Sequence, residues 1–253
     1  MSTATPVPLS AAGHDVDPDE AARPTRAQRR SVQLLRAAAR LMERDGSQAV
    51  SMQAVADEAG VSVGLIYRYF EGKDDLLLAV IVDVLDAFAV RVPAAVQSAG
   101  EDPVQRLAAA FRSYCEVIDE HRHAAVLTYR ESKSLSDAGR ARIKELEVRT
   151  SAPLRTLLTE GIEAGALSPV DVDLVSYNLL LAAHGWALKH WYFERTLGFD
   201  DYVGKQTALA LNALVAPGRR RSYRRLLAFD GGSGTAGAAP TAVHTGPDGG
   251  GSP

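Results

Sequence analysis

Residues 52–73, MQAVADEAGVSVGLIYRYFEGK, constrain the fold of this chain more than any other stretch. An apolar stripe at helical spacing is followed by a glycine, a serine and a second apolar stripe. A helix that reverses within a few residues needs a left-handed position at its end, which Gly60 adopts without steric cost. Ser62 can then cap the next helix with its hydroxyl. The pattern therefore predicts a helix-turn-helix.

The two predicted helices each bury one side and leave the other free. The inner stripe of the first helix is Val55, Ala56 and Ala59, with Ser51 as its cap, and that of the second is Leu65, Ile66 and Phe70. The second helix of such a motif usually enters the major groove of DNA. Its outward residues are Ser62, Val63, Gly64, Tyr67 and Arg68.

At these positions the chain resembles the DNA-binding domain of the TetR/AcrR family of bacterial transcriptional regulators. The residues that carry the resemblance are Ser51, Val55-Ala56, Ala59-Gly60-Val61-Ser62, Gly64-Leu65-Ile66-Tyr67-Arg68-Tyr69-Phe70, Lys73 and Leu76. Gly72 departs from the pattern, because the family commonly has Ser or another capping residue there. Glycine is still an acceptable N-cap.

The net charge of −3 hides a local excess of positive charge. Residues 23–44 carry seven Arg and one acid, whereas the preceding tail carries four acids and no Lys or Arg. Such a run is either a solvated helix face or an electrostatic footprint for DNA, and the neighbouring motif favours DNA. Arg26, Arg29 and Arg30 are the predicted phosphate or minor-groove contacts.

Lys73 is predicted to begin the fourth helix, where a cation opposes the helix dipole. Its position suggests an external anion, namely a DNA phosphate. The complete set of predicted DNA contacts is Arg26, Arg29, Arg30, Ser51, Ser62, Val63, Gly64, Tyr67, Arg68 and Lys73.

The chain as a whole predicts an all-α protein, because no strand pattern competes with helical spacing. A three-helix helix-turn-helix domain is followed by a helical ligand-binding and dimerisation domain. The predicted units are a disordered arm at 1–24, a DNA-binding domain at 25–75, an effector-binding and dimerisation domain at 76–216, and a basic, then Gly/Ala-rich, flexible tail at 217–253. The predicted later helices are one from Lys73 that breaks or kinks at Pro93, then 103–120, 123–133, 137–164 with an interruption or bend near Pro153, 171–195 and 200–215.

The helix predicted at 171–195 has apolar residues on two sides. One stripe includes Leu179, Ala183 and Trp186; another includes Leu174 and Leu181. A helix that needs cover on two sides lies in a large core or is shared with a partner. The resemblance implies a homodimer in which the last two helices form a four-helix bundle with their copies.

The resemblance also implies a small-molecule effector that binds in the second domain and moves the fourth helix. Candidate effector contacts, which are equally compatible with an ordinary core, are Phe111, Tyr114, Tyr129, Arg130, His184, Trp186 and Trp191. Arg130 needs an anion, which is Glu131, Glu163 or a ligand. The C-terminal part resembles regulators of fatty-acid and sterol breakdown that sense acyl-coenzyme A thioesters. An uncharged apolar effector is the rival.

Other function classes find little support. No phosphate loop, HExxH, CxxC or GxSxG motif occurs, so no catalytic residue, metal or cofactor is predicted, and no apolar run reaches the roughly 18 residues of a membrane span. We therefore expect a cytoplasmic protein without membrane contact.

Several features stay open. Cys115 is a buried hydrophobe or a redox sensor, and His121 with His123 are exposed helix-end residues or metal ligands. The five Arg of residues 217–229 belong to an accessory DNA arm or to a tail. The helix-turn-helix also admits a role in protein–protein interaction.

Overall fold

The computed structural model describes residues 26–229, with side chains from residue 30 onward. Within that range the regular secondary structure is helical, apart from one antiparallel β-bridge between Leu167 and Val215, so the all-α prediction is confirmed. None of the described helices is both long and apolar enough to cross a bilayer. The predicted disordered arm at 1–24 and the end of the predicted tail lie outside the described residues.

Three helices form the N-terminal domain. They are α1 (Arg26–Asp45), α2 (Met52–Ala59) and α3 (Val63–Ile66). Leu34 and Met42 of α1 are buried together with Val55 of α2 and Ile66 of α3. Phe70 follows α3 and is also buried, whereas Leu65 is only half-buried. The inner stripes that the sequence predicts therefore hold these helices together, with Leu65 less buried than expected.

The fourth helix, α4 (Lys73–Ser98), continues past Pro93, so of the predicted break or kink the break is wrong. A proline removes one hydrogen bond from a helix, but burial on either side can outweigh this loss. Val92 is fully buried and Val96 packs against the core, which keeps both sides of Pro93 in place. Pro153 likewise lies inside one continuous helix, so of the predicted interruption or bend the interruption is wrong.

The second domain is built around a central helix. Its first members are α5 (Pro103–Glu120), α6 (Arg122–Glu131) and α7 (Asp137–Glu163), with a short 3-10 turn at Ser132–Ser134. Asp102 caps α5 by accepting hydrogen bonds from the N–H groups of Val104 and Gln105. The helix α5 packs against α4 on one side and against α7 and the following helix on the other.

The helix predicted at 171–195 is two helices, α8 (Val172–Leu188) and α9 (His190–Phe193), so the prediction of one long helix is wrong. Lys189 leaves helical geometry at φ −123° and ψ 26°. No Gly or Pro marks this break. The rings of Trp186 and His190 meet edge to face across it at 4.9 Å, so side-chain packing between neighbouring turns accompanies the break.

The two apolar sides predicted for this helix are present on α8. Leu179, Ala183 and Trp186 are buried, whereas Leu174 is 60% and Leu181 is 53% exposed. The next helix, α10 (Phe199–Leu214), packs against α5 and α8. One side of α8 therefore completes the core, and the other is left open.

The basic C-terminal segment is folded, so the predicted flexible tail is wrong over residues 217–227. A 3-10 helix at Pro217–Tyr223 leads into α11 (Arg224–Leu227). The Tyr223 ring is buried, and its hydroxyl donates to Asp102 Oδ2 at 2.8 Å. This contact lies beyond the C-terminal end of α4, a 26-residue helix that spans roughly 39 Å at about 1.5 Å per residue. The segment is therefore far from α3, which disfavours the accessory DNA arm.

Candidate functional site

The turn between α2 and α3 has the geometry that the sequence predicts. Gly60 lies in the left-handed region at φ 66°, and the N–H of Val61 donates to Ala56 O at 2.9 Å. Ser51 Oγ accepts from the N–H of Ala54 at 3.0 Å, which confirms its capping role. The predicted side-chain cap of Ser62 is wrong, since Ser62 has extended backbone geometry but makes no such bond. Its hydroxyl is therefore not engaged by the helix.

The residues that were predicted to face outward, on α3 and in the turn after it, are mostly exposed. Ser62, Gly64 and Arg68 are exposed, Val63 is half-buried, and Tyr67 is 56% exposed. A Cβ added at Gly64 would have no atom within 4 Å, so this glycine meets no crowding from its own protein. The absent side chain leaves room on the outside, which matters when a surface approaches DNA closely.

Tyr69 is a member of this surface that the sequence analysis missed. It is 40% exposed, and its ring centroid lies 6.3 Å from that of buried Phe70. Helical spacing would place it near the inner side, but the chain leaves α-helical geometry after Ile66 and turns Tyr69 outward. The two tyrosines therefore flank Arg68 on the exposed surface.

The cations around this face differ in how far they are neutralised. Arg40 pairs with Glu58 at 3.2 Å and Arg44 with Asp45 at 2.8 Å, whereas exposed Arg30 has no ion pair with any described residue. Arg26 and Arg29 begin α1, but their side chains lie outside the described atoms. Among the residues described, Arg30 at the start of α1 and Arg68 on the face itself are therefore exposed cations without an ion pair.

Lys73 has an internal partner that the sequence did not reveal. Its Nζ donates to the carbonyl oxygen of Gln48, in the loop between α1 and α2, at 2.7 Å. The position of Lys73 therefore does not require an external anion, contrary to the expectation from the sequence. A carbonyl leaves the ammonium charge uncompensated, and two of its three N–H groups remain. A phosphate contact by Lys73 stays a prediction.

A cavity of about 190 Å³ lies inside the second domain. It is lined by Val84, Leu85, Phe88, Ile118, Ala125, Thr128, Tyr129, Glu147, Thr150, Tyr177, Leu180, Leu181 and His184. The Tyr129 hydroxyl and His184 Nδ1 are hydrogen-bonded at 2.7 Å. Burial lowers the pKa of His184 to about 4, so the imidazole is neutral at ordinary pH. The cavity is mostly apolar, with a few polar groups contributed by α6, α7 and α8.

Only two of the seven candidate effector residues line this cavity, namely Tyr129 and His184. Phe111 is buried in the core, and Tyr114 is also buried, with its hydroxyl donating to Thr150 O. Trp186 is buried and donates from Nε1 to Asp119 Oδ1 at 2.7 Å. Trp191 is 61% exposed, away from the cavity.

Arg130 faces the DNA-binding domain instead of a ligand anion. Its Nη1 donates to the backbone carbonyl of Glu43 at 3.2 Å, and neither of the acids predicted as its partner pairs with it. Nearby, Ser47 Oγ donates to Glu131 Oε2 at 2.6 Å. The helix α6 therefore joins the second domain to α1 and to the loop after it, in addition to α4.

Neither a metal site at His121 and His123 nor a redox-sensing role of Cys115 is supported within residues 26–229. No group of three or more described His, Cys, Asp or Glu residues could hold a metal ion. His121 Nδ1 lies 3.6 Å from Asp83, and His123 Nδ1 lies 3.1 Å from Glu43. Cys115 is buried, and burial raises the pKa of its thiol to about 12, which makes it unreactive.

Two family models match the chain. Residues 34–80 match the model of bacterial regulatory proteins of the tetR family, and residues 100–196 match the tetracyclin repressor-like C-terminal domain. The first match contains α2, α3 and most of α1; the second contains α5 to α9. The region around the helix-turn-helix and the region around the cavity thus each have a counterpart in known proteins.

Individual proteins are similar over most of the chain. The HTH-type transcriptional regulator HbdR of Aromatoleum sp. (strain CIB) is 36% identical over 197 residues, which cover 78% of this chain and 86% of HbdR. The HTH-type transcriptional repressor KstR2 of Mycolicibacterium smegmatis (strain ATCC 700084 / mc(2)155) is 33% identical over 186 residues, covering 72% of this chain and 89% of KstR2. AibR, solved in complex with isovaleryl coenzyme A and operator DNA, shares the fold with a TM-score of 0.60 and 22% identity, covering 71% of this chain and 97% of AibR.

Proposed function

This chain belongs to the TetR family of DNA-binding transcriptional regulators, and from that premise we propose a homodimeric repressor that a small-molecule effector releases from a palindromic operator. The observation that carries the proposal is the outward face of α3 and the following turn. Ile66 and Phe70 anchor this face from below, while Ser62, Tyr67 and Arg68 are exposed. A rigid, outward, partly cationic face of this kind suits the major groove.

The charge around this face supports backbone contacts beside it. Arg30 is free of ion pairs with the described residues, and Lys73 keeps its charge beside the loop after α1. Cations at the edges of a recognition surface bind phosphates and set its register, while side chains in the groove read bases. In this proposal Arg68 reads a base, and Arg30 and Lys73 bind phosphates.

The exposed side of α8 supports the dimer. Leu174 and Leu181 on α8 and Leu209 on α10 are each more than half exposed. Tyr202 at the start of α10 donates its hydroxyl to Ala182 O of α8, so the two helices pack against each other. Large apolar side chains grouped on neighbouring helices usually mark an interface. A second copy of this surface would complete a four-helix bundle.

Sedimentation velocity tests the dimer. We expect the wild type to sediment as a dimer at the concentrations where it binds DNA, and Leu174→Asp/Leu209→Asp to sediment as a monomer with most operator affinity lost. Val148→Asp is the matched control, because Val148 is similarly exposed on α7, outside this surface. A wild type that binds its operator tightly as a monomer would refute the proposed assembly.

The cavity supports effector binding, and its neighbourhood supports an acyl-coenzyme A. A cleft of about 370 Å³ between α4 and α7 shares Leu85, Phe88 and Thr150 with the cavity and is also lined by exposed Arg149. Coenzyme A is far too large for the cavity itself. In this proposal the acyl group enters the cavity and the phosphate-bearing part stays outside, beside Arg149. The complex of AibR with isovaleryl coenzyme A supports this choice over an uncharged apolar compound.

Release of a fluorescent operator duplex tests the effector. We expect isovaleryl-CoA or another short-chain acyl-CoA to release the duplex, free coenzyme A to be weaker, and Arg149→Ala to need about tenfold more thioester. Arg142→Ala is the control, since Arg142 lies on α7 paired with Glu145. If acyl-CoAs of every chain length leave the duplex bound at about 1 mM, a weak-binding limit, the acyl-CoA proposal is wrong.

A further inference from the structure

The polar groups that line the cavity include no cation. Its lining contains no Lys or Arg, and His184 is neutral because burial holds its pKa at about 4. The other groups able to carry charge are Glu147 and the hydroxyls of Tyr129 and Tyr177. A ligand anion placed here would find no counter-charge, and burial of an unpaired anion is strongly unfavourable.

Glu147 lies on α7 at the mouth of the cavity, with an exposed side and a side that contributes to the lining. Its carboxylate has no hydrogen bond or ion pair with any residue in the described range. Burial raises its pKa above the ordinary value, although Lys144 opposes this shift. Glu147 also contributes to the raised pKa of Tyr129, which indicates that the two groups are close. The mouth of the cavity therefore offers carboxylate oxygens that are free to accept a hydrogen bond from a ligand.

The size of the cavity limits what can reach this carboxylate. An apolar cavity of about 150 Å³ holds a benzene molecule, and this one measures about 190 Å³. It therefore has room for about one six-membered ring with short substituents. A long acyl chain or a fused ring system would require the helices to move apart.

We infer that Glu147 makes the cavity select an uncharged, hydroxyl-bearing group of about one ring and reject a free carboxylate. The inference rests on the proposed function in treating this cavity as the effector site. The ligand hydroxyl donates to Glu147, while the ring lies against Phe88, Leu180 and Leu181. A carboxylic acid of the same size is repelled, whereas its thioester is accepted because the charge is removed from the cavity.

Three simple probes of one ring test this selectivity, namely phenol, toluene and benzoate. Titration calorimetry near neutral pH should give phenol about tenfold tighter binding than toluene, because a hydrogen bond to a charged group adds affinity. Benzoate should bind the wild type at least about tenfold more weakly than phenol does. Glu147→Gln should bind benzoate at least about tenfold better than the wild type does, because the repelling charge is gone.

Glu145→Gln is the matched control. It removes the same charge from the same helix, but Glu145 pairs with Arg142 at 2.9 Å and does not line the cavity. Glu145→Gln should bind phenol, toluene and benzoate with the same order of affinities as the wild type. Benzoate binding to the wild type as tightly as phenol does, no change of benzoate affinity in Glu147→Gln, or no binding of any probe would each overturn the inference.

Operator binding, measured on the same samples, separates this inference from the proposed function. A protein that shows the expected probe selectivity but binds no duplex would keep the cavity inference and lose the repressor proposal. A protein that binds and releases its operator normally but accepts benzoate would keep the repressor and lose the selectivity assigned to Glu147.

Discussion

The DNA-facing motif and the cavity are assembled in opposite ways. The motif uses one short stretch, from Ser51 to Lys73, and the hydrogen bonds of its cap and turn join residues only a few positions apart. The cavity takes its lining from five helices between Val84 and His184. The motif therefore depends on local backbone geometry, whereas the cavity depends on how distant helices pack.

The two regions also differ in their electrostatics. The face around α3 has Arg30, Arg68 and Lys73 at its surface, whereas the cavity holds a neutral histidine and no cation. Binding at the first should respond strongly to salt, and binding of an uncharged group at the second should not. This contrast can be tested directly.

The largest expected effect is that of salt. Between about 50 and 200 mM salt, operator affinity should fall about a thousandfold if on the order of six phosphates are neutralised. Phenol binding to the cavity should change less than about twofold, because an uncharged ligand releases no counterions. Fluorescence anisotropy measures operator affinity, and calorimetry measures phenol binding. Equal salt dependence at both sites would break the distinction.

The next effect separates Arg68 from Lys73 within the DNA-facing region. Arg68→Ala should lose about 1–3 kcal/mol of operator binding and relax discrimination at one base position. Lys73→Ala should weaken binding to all sequences and reduce the salt slope by about one. A panel of single-base operator variants, measured with Arg142→Ala as control, checks both. Equal losses on every sequence for both variants would contradict the assigned roles.

Each domain has a glycine in the left-handed region, so the same substitution of glycine by alanine can be compared between the two domains. Gly60 ends α2 at φ 66° and Gly165 follows α7 at φ 63°, and neither has an atom near the position of an added Cβ. Each Ala substitution should cost about 1–2 kcal/mol of unfolding free energy for conformational reasons. Only Gly60→Ala should also weaken operator binding, since only Gly60 sets the angle of α3. Urea denaturation and anisotropy measure these effects.

Gly64→Ala changes a glycine on the DNA-facing surface that, unlike Gly60 and Gly165, does not need a left-handed backbone. Gly64 has no positive φ and no neighbour within 4 Å, so alanine should leave the unfolding free energy unchanged or raise it by up to about 1 kcal/mol. Operator binding should nevertheless weaken, because the added methyl group projects from the face that meets DNA. A variant with full operator affinity would show that DNA does not approach Gly64 closely.

The smallest effect concerns the hydrogen bond at the cavity. Tyr129→Phe removes the bond to His184, and Tyr129 is half exposed, so we expect a loss of only about 0.5–1 kcal/mol in unfolding free energy. Urea denaturation of the ligand-free protein measures this. A loss above about 3 kcal/mol would mean that the pair holds the domain together and is not mainly a ligand contact.

These differences explain which features could be predicted from the sequence. Gly60 and Ser51 act within one turn of their own backbone, so their roles follow from residue type and spacing. The break at Lys189 carries no such signal. Helical spacing shows that a side chain faces inward, but not which neighbouring helix it meets, so Trp186 was not distinguishable from His184.

Polar residues outside a periodic stripe were missed for the same reason. Glu147 reaches the cavity because α7 lies beside α8, an arrangement that no local pattern encodes. The partner of Lys73 is a backbone carbonyl in another loop, and the anchor of the C-terminal segment is a contact between Tyr223 and distant Asp102. Long-range contacts of this kind require the packed structure.

Selection of bound duplexes from a random pool tests the central claim most directly. Two copies of the face formed by Ser62, Tyr67 and Arg68, placed about 34–36 Å apart by a dimer, should recover an inverted repeat with half-sites about one helical turn apart. Recovery of no preferred sequence, or of a site without two-fold symmetry, would contradict the account.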